Sequence, residues 1–164
     1  MKKFVFPMSV EDCIINRTPN LLLDTVDNVT SDMVVCRMTV GSRDSVAYTE
    51  EKELPVMALL EVMAQTMSVW STLNQSSRTD HKIRFGILVD ISRMIVTRNS
   101  HLPRGMSLVI TAHLDRQERG YVRFYCEVKD ELENEIIATA RMTGLVPSDT
   151  QIHDFVKHTE LNRL

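Results

Sequence analysis

The sequence predicts an α+β fold in which one antiparallel β-sheet wraps around one long helix. Residues 55–73 follow a helical pattern that is apolar over most of its circumference, and such a helix has to lie inside a fold. Two β-rich segments precede this helix and about three or four follow it. Turn-prone residues separate the strands on each side of the helix, and an arrangement of one helix against one antiparallel sheet is typical of the α+β class.

The composition is that of a single globular domain. The 164 residues are 43% hydrophobic and 25% charged, which is ordinary for a folded protein. We expect one domain over residues 1–146 and a C-terminal tail over residues 147–164. The net charge of −3, without a cluster of Lys and Arg among aromatic residues, argues against a nucleic-acid partner.

The cysteines and the N-terminus indicate a cytoplasmic protein. Cys13, Cys36 and Cys126 are widely spaced and form no CxxC pair, which favours free thiols over disulfides or a zinc site. The N-terminal apolar run is broken at Pro7 and is too short for a signal peptide. We find no uninterrupted apolar stretch that approaches membrane-spanning length, so we expect no membrane partner.

The first strands form a predicted pair. Residues 21–29 and 33–40 are β-rich, and the turn-prone Thr30, Ser31 and Asp32 separate them. A polar loop then runs from Gly41 to about Glu53.

The central helix is the clearest element of the chain. Pro55 suits the first turn of a helix, and between it and Leu73 the only charged side chain is that of Glu61. Ten methionines in the chain suit either an irregular core or a groove for a flexible acyl chain.

After a polar loop at residues 74–82, the remainder is β-like until the tail. Alternation or Ile/Val enrichment predicts strands over residues 83–97, 107–115, 120–129 and 135–146. The segment 115–120 (DRQERG) is predicted as a hairpin connector, since Gly120 accepts a positive φ. The polar tail has the pattern of a short helix at residues 150–158. A curved sheet around one apolar helix is the hotdog fold.

Three segments carry a family resemblance. Residues 18–29 (TPNLLLDTVDNV) resemble the opening strand of FabZ-type 3-hydroxyacyl-ACP dehydratases, and residues 59–65 (LLEVMAQ) resemble their central-helix signature. Residues 85–108, which end in LPRGMSL, resemble the strand and turn that follow. The likeness covers residues 14–146 in consistent order. Among these proteins, the chain resembles the ApeP-like dehydratases of aryl polyene biosynthesis.

The resemblance implies a dehydration site at the helix. Eliminating water from a 3-hydroxyacyl thioester needs a base for the α proton, an acid for the hydroxyl and donors for the enolate-like oxygen. In the family a His and a carboxylate from opposite subunits act as base and acid. Glu61 matches that carboxylate, and Gln65 and Ser68 share its helix face. We expect apolar surroundings around Glu61 to favour the protonated carboxyl.

The same helix face fits an ordinary solvated stripe equally well. Glu61, Gln65, Ser68 and Thr72 have the spacing of the wet face of an amphipathic helix. Periodicity alone does not separate the two interpretations, whereas the resemblance favours a functional one. We predict Glu61 and Gln65 as catalytic residues and Val56, Phe85 and Gly86 as substrate-binding residues, with no metal and no cofactor.

The histidine of the family is missing. Ala47 stands in its place before the helix, followed by Tyr48, and Asn16 replaces the histidine of the Pro-His-Arg motif. Neither alanine nor an amide takes up a proton at useful pH, and losing a general base typically costs about 10²–10⁴ in rate. The histidines that are present are expected to be solvated or on strand surfaces, with His101 the nearest to a substitute: His81, His101, His113, His153 and His158.

The pattern leaves three functions open. The chain could be inactive alone and contribute Glu61 to a composite dehydratase site with a His-bearing hotdog paralogue, with acyl carrier protein as the other partner. It could be a non-catalytic structural subunit of such a dehydratase, or an acyl thioesterase, since hotdog thioesterases also use a central-helix carboxylate. The long strand at 83–97 is expected to line the acyl tunnel and to close a dimer, with either a paralogue or a second copy.

Overall fold

The computed structural model describes residues 4–75, 86–98 and 100–146. These residues form nine strands and one α-helix, with 3-10 turns at Val10–Asp12 and Val56–Ala58. The elements are β1 Met8–Ser9, β2 Thr25–Val29, β3 Met33–Thr39, β4 Leu54–Pro55, α1 Leu59–Gln75, β5 Ile87–Val96, β6 His101–Leu102, β7 Ser107–Glu118, β8 Tyr121–Asp130 and β9 Ile136–Leu145.

Seven strands form one antiparallel sheet in the order β1-β2-β3-β7-β8-β9-β5, and β4 and β6 form a small second sheet. The helix α1 packs against β7, β3, β8, β9 and β2. The predicted α+β hotdog architecture is therefore confirmed. The helix predicted at residues 150–158 lies outside the described residues.

Helix α1 is covered on most sides. Trp70 packs edge-on against Phe124 of β8, with ring centroids 5.1 Å apart, and Leu59, Val62 and Met63 are fully buried. The uncovered side is narrow. It begins at Met57 in the preceding 3-10 turn and continues along one side of α1 over exposed or half-buried positions, and we call it the open stripe: Met57, Leu60, Glu61, Ala64 and Ser68.

The segment Val56–Asn74 has the length and the mean hydropathy, 1.2, of a membrane span. It is not an uninterrupted apolar stretch, because Glu61 lies within it, and it reaches the composition of a span only by its mean hydropathy. Most of the segment is buried inside the fold, and a core helix wrapped by a sheet has the same length and composition as a span.

Side chains alternate across the large sheet. In β8, Val122, Phe124 and Cys126 face the helix and are buried, whereas Tyr121 and Arg123 face outwards and are exposed. Strand β9 follows the same rule, with Met142 inside and Arg141 outside. The sheet thus separates an apolar inner face from a polar outer face.

The connector between β7 and β8 is shorter than predicted. Strand β7 continues through Asp115 to Glu118, and only Arg119 and Gly120 form the turn. Both have positive φ, 50° and 88°, as a two-residue type I′ hairpin requires. Residues 115–118 are exposed, so their polar composition reflects a solvated strand end. A register shift between Leu114 and Arg116 marks where this end begins.

Two short features had no clear sequence pattern. Strand β1 has two residues, and β4 pairs with β6 through Leu54 with Leu102 and Pro55 with His101.

The start of the predicted first strand, residues 21–24, is a largely buried loop and not part of a strand. In it, Asp24 accepts hydrogen bonds from the Thr39 N–H (2.7 Å) and from the Ser42 hydroxyl. These contacts tie the loop before β2 to the end of β3.

Candidate functional site

A cavity of about 230 Å³ lies beside α1. The helix forms one wall, the adjoining ends of β5, β8 and β9 form the other, and Asn16 comes from the N-terminal segment. The helical wall includes three residues of the open stripe, Glu61, Ala64 and Ser68. Three buried neighbours complete it: Gln65, Met67 and Ser71.

Glu61 is the one charged side chain among the described residues that line this cavity. It lies in the first turn of α1 and is exposed. Our expectation that apolar residues bury it is therefore wrong for the chain by itself, because Glu61 lies on the side of the helix that the sheet leaves uncovered. One carboxylate oxygen of Glu61 accepts a hydrogen bond from the Gln65 amide at 2.9 Å.

Gln65 connects the helix to the buried loop before β2. Its amide nitrogen donates to the Asn20 carbonyl at 2.7 Å as well as to Glu61, and its amide oxygen accepts from the Leu22 N–H at 3.0 Å. Gln65 is only 2% exposed. Since both amide hydrogens and the oxygen already have partners, the geometry suits positioning of Glu61 better than direct contact with a substrate.

The structure also bears on the interpretation of this helix face as an ordinary solvated stripe. Gln65 and Thr72 are buried, at 2% and 5% exposure, so only Glu61 and Ser68 of the four positions lie at the surface. Ser68 uses its hydroxyl to donate to the Ala64 carbonyl at 3.1 Å. A solvated stripe does not describe this arrangement.

Of the three predicted substrate-binding residues, one lines the cavity, one lies elsewhere and one is outside the described residues. Gly86 lines the cavity together with Glu61. Val56 lies in the 3-10 turn before α1, where its N–H donates to the Ser100 carbonyl, and it is not among the cavity residues. Phe85 lies outside the described residues. Asn16, which the sequence presented only as a lost histidine, does line the cavity.

The histidines within the described residues lie elsewhere. His113 is exposed on the outer face of β7, opposite Met33 and Tyr125, whereas the helix covers the inner face. His101 is exposed on β6 and pairs with Pro55. Neither lines the cavity beside Glu61.

The position that the resemblance assigns to a histidine carries no acid–base group. Ala47 packs against the core, and its N–H donates to the Ser45 hydroxyl at 3.2 Å. Burial raises the pKa of the neighbouring Tyr48 phenol. Tyr48 therefore stays protonated near neutral pH and is a poor proton acceptor.

The cysteines do not supply a nucleophile. Cys13, Cys36 and Cys126 are free and buried. Burial raises the pKa of Cys13 to about 11 and that of Cys126 to about 12, so the reactive thiolates are scarce at neutral pH. Over residues 4–75, 86–98 and 100–146, no group of three His, Cys, Asp or Glu side chains is placed to hold a metal ion.

Comparison with known sequences gives one family. The model of the ApeP-like family, ApeP dehydratase, matches residues 8–157, which extends past residue 146 into the predicted tail. No curated protein matches the chain by sequence.

Solved structures share the fold. The dehydratase heterocomplex ApeI:P from Xenorhabdus doucetiae superimposes with a TM-score of 0.79 at 23% identity, over 91% of this chain and 97% of that one. Zebra fish thioesterase superfamily member 2 gives 0.53 at 18% identity, over 75% and 80%. A hypothetical thioesterase from Streptococcus pneumoniae with coenzyme A gives 0.57 at 12% identity, over 75% and 84%.

Replacing Gln65 with leucine tests its role as a link between helix and loop. We expect Gln65→Leu to lower the free energy of unfolding by about 2–4 kcal/mol, because the Leu22 N–H and the Asn20 carbonyl lose buried partners. Urea unfolding followed by circular dichroism measures this. Ser68→Ala is the matched control and should cost less than about 1 kcal/mol, since it removes one half-exposed hydroxyl. Equal midpoints for the two variants would contradict the assignment.

Proposed function

This chain belongs to the ApeP-like dehydratase family, and from this premise we propose that it is one subunit of a 3-hydroxyacyl-[acyl-carrier-protein] dehydratase. In this proposal the chain is inactive alone, and Glu61 completes a site whose histidine lies on a second hotdog chain. The observation that carries the proposal is a held carboxylate beside a cavity that no described histidine lines.

Glu61 has the chemistry of the acid in this reaction. The partner's histidine would remove the α proton of the acyl group, and the protonated Glu61 would give its proton to the departing 3-hydroxyl, which leaves as water. The products are the enoyl thioester and water. The Gln65 amide, which donates to one Glu61 oxygen, would hold the carboxyl towards the cavity.

Two uncovered apolar surfaces support a protein partner at this site. The open stripe exposes Met57 at 60% next to Glu61. Strand β5 is an edge of the large sheet, and its Leu88, Val89, Ile91 and Ile95 are 38–47% exposed. A ten-residue edge strand with exposed apolar side chains is normally covered in the assembled protein.

The two surfaces adjoin the same cavity. Ile87 and Leu88 of β5 line it opposite Glu61 and Ala64 of the open stripe. A chain that paired with β5 would therefore lie across the cavity mouth and remove water from Glu61, and exclusion of water strengthens the electrostatic interactions of a site.

A paralogue fits this site better than a second copy. A second copy would bring another Glu61 and another Ala47, so a homodimer would hold two carboxylates, and neither histidine of the described residues lines the cavity. The similar Xenorhabdus doucetiae protein belongs to a heterocomplex of two dehydratase components, which supports the same pairing here. Family membership further supports acyl carrier protein as substrate carrier, a role in aryl polyene biosynthesis, and a cytoplasmic location.

Two other functions make different predictions about Glu61. A structural subunit would need the chain but not its carboxylate. A thioesterase, which the fold of the zebra fish and Streptococcus pneumoniae proteins favours, would use Glu61 to activate water and would release free thiol from acyl thioesters without a second chain.

Changing Glu61 to glutamine in the co-purified pair tests the composite site. We expect Glu61→Gln to lower dehydration of 3-hydroxyacyl-ACP at least about 100-fold, since an amide cannot deliver the proton, while the pair stays assembled. Enoyl product is measured by mass spectrometry. Glu51→Gln, which changes an exposed loop carboxylate in the same way, should retain full turnover. Undiminished turnover in Glu61→Gln would leave only a structural role for the chain.

Charging the β5 edge tests the proposed contact. We expect Val89→Lys with Ile91→Lys to dissociate the pair, because edge lysines oppose strand pairing. Light scattering after size-exclusion chromatography measures the mass. Leu132→Lys with Ile136→Lys, which charges two exposed apolar residues at the β8–β9 turn, should leave the mass unchanged. An intact complex with the β5 variant would place the interface elsewhere.

A further inference from the structure

The outer face of the large sheet carries four arginines that lie opposite one another in pairs. Arg93 of β5 faces Arg141 of β9, and Arg116 of β7 faces Arg123 of β8 in the strand register. All four are exposed. We call this surface the arginine face: Arg93, Arg116, Arg123 and Arg141.

Like charges directly opposite each other weaken a sheet, and carboxylates of the chain neutralise only part of this charge. Arg116 pairs with Glu118 at 2.7 Å. Within the described ranges, no ion pair neutralises Arg93, Arg123 or Arg141, although Asp90 lies opposite the adjacent Thr143. Repulsion between the opposed arginines destabilises the isolated chain. A bound partner that brings carboxylates to these arginines would relieve that repulsion.

We propose that the arginine face is a docking surface for a folded protein that presents clustered carboxylates. We identify this protein as the acyl carrier protein, and this identification rests on the proposed function. The surface has two shallow depressions between its arginines. One is lined by Ile95, Tyr125, Thr139 and Ala140 along with Arg93 and Arg141. The other is lined by Tyr121 and Thr143 along with Arg116, Glu118, Arg119 and Arg123.

The composition of the face favours a protein over a nucleic acid. The five cations that line the two depressions are all arginines, because Arg119 of the β7–β8 turn joins the four of the arginine face, and no described lysine lines either depression. Exposed tyrosines lie among them, and the one carboxylate, that of Glu118, pairs with Arg116. Arginine and tyrosine are enriched at protein interfaces and lysine is depleted. A guanidinium also binds a carboxylate through two parallel hydrogen bonds.

The size of the face limits the partner to a compact contact. The basic part of β8 runs from Tyr121 to Tyr125, about 13 Å at the usual rise of a strand. Beyond it the charge reverses, because Asp130, Glu133 and Glu135 surround Arg98 at the opposite end of β8 and β9. A long phosphate backbone would run from the basic end into this acidic end.

The arginine face adjoins the cavity across one sheet. The side chains of Arg123 and Thr143 point outwards. The neighbouring Val122 and Gly144 lie on the inner face of the sheet and line the cavity beside Glu61. A protein docked on this end of β8 and β9 would therefore lie on the opposite side of the sheet from the cavity that Glu61 lines. Pairing along the β5 edge uses backbone groups and would leave these outward side chains accessible.

Charge reversal tests the docking surface in the co-purified complex. We expect Arg123→Glu with Arg141→Glu to weaken binding of unacylated acyl carrier protein at least ten-fold by isothermal titration calorimetry, and the wild-type affinity to fall as salt rises. The KM for 3-hydroxyacyl-ACP should rise, while kcat/KM for a small N-acetylcysteamine thioester stays unchanged. Arg104→Glu with Lys129→Glu, which changes the net charge equally, should bind like wild type.

The neutral variant Arg123→Gln with Arg141→Gln guards against a folding defect and should weaken carrier binding in the same direction. Wild-type affinity in both arginine variants would overturn the proposal, as would tighter binding of a 20-nucleotide DNA strand than of the carrier. Failure of the dehydratase proposal would appear separately, as an unchanged rate in Glu61→Gln, because the calorimetric measurement requires no turnover.

Discussion

The burial of one apolar helix governs the rest of the structure. Helix α1 has seventeen residues and a single charged side chain, Glu61, so water has to be excluded from nearly its whole circumference. A flat sheet covers only one side of a helix. Seven strands in one curved sheet cover most of the sides of α1, and the open stripe remains because the sheet does not close around it.

The open stripe brings together the features that the proposed function requires. It carries Glu61 and an exposed Met57, and it faces the cavity that the exposed edge strand β5 also lines. Gln65, one helical turn after Glu61, stays buried and hydrogen-bonded to the loop at residues 20–22. The carboxylate thus accepts a hydrogen bond from a buried amide on a helix face whose neighbouring side chains are apolar.

Much of the fold follows from patterns that sequence shows directly. The apolar run at 55–73 predicted α1 because a helix without a solvated face has to be central, and alternation predicted β7, β8 and β9 because one face of each strand is buried. The β7–β8 turn was predicted too long, since Arg116 and Glu118 are polar on a solvated strand end. The pairing of β4 with β6 has two residues in each strand, too few for any periodicity.

The site was predictable only as far as its residues lie close in sequence. Glu61 and Gln65 are one turn apart on a helix, so their contact follows from helical spacing, and the resemblance to the dehydratase family is confirmed by the family match. Exposure of Glu61 depends on where the sheet ends, and the place of Asn16 depends on how the N-terminal segment folds back. The like-charge arginine pairs depend on strand register, which sequence alone does not fix.

The central claim is that this polypeptide supplies a carboxylate and lacks the imidazole for the same reaction. The most direct test is elimination of water from a 3-hydroxyacyl thioester by the purified chain alone, followed by addition of a His-bearing hotdog partner to the same sample. The account predicts no enoyl product before the addition and rapid product formation after it. Sustained formation of enoyl product by the chain without a companion would contradict the account.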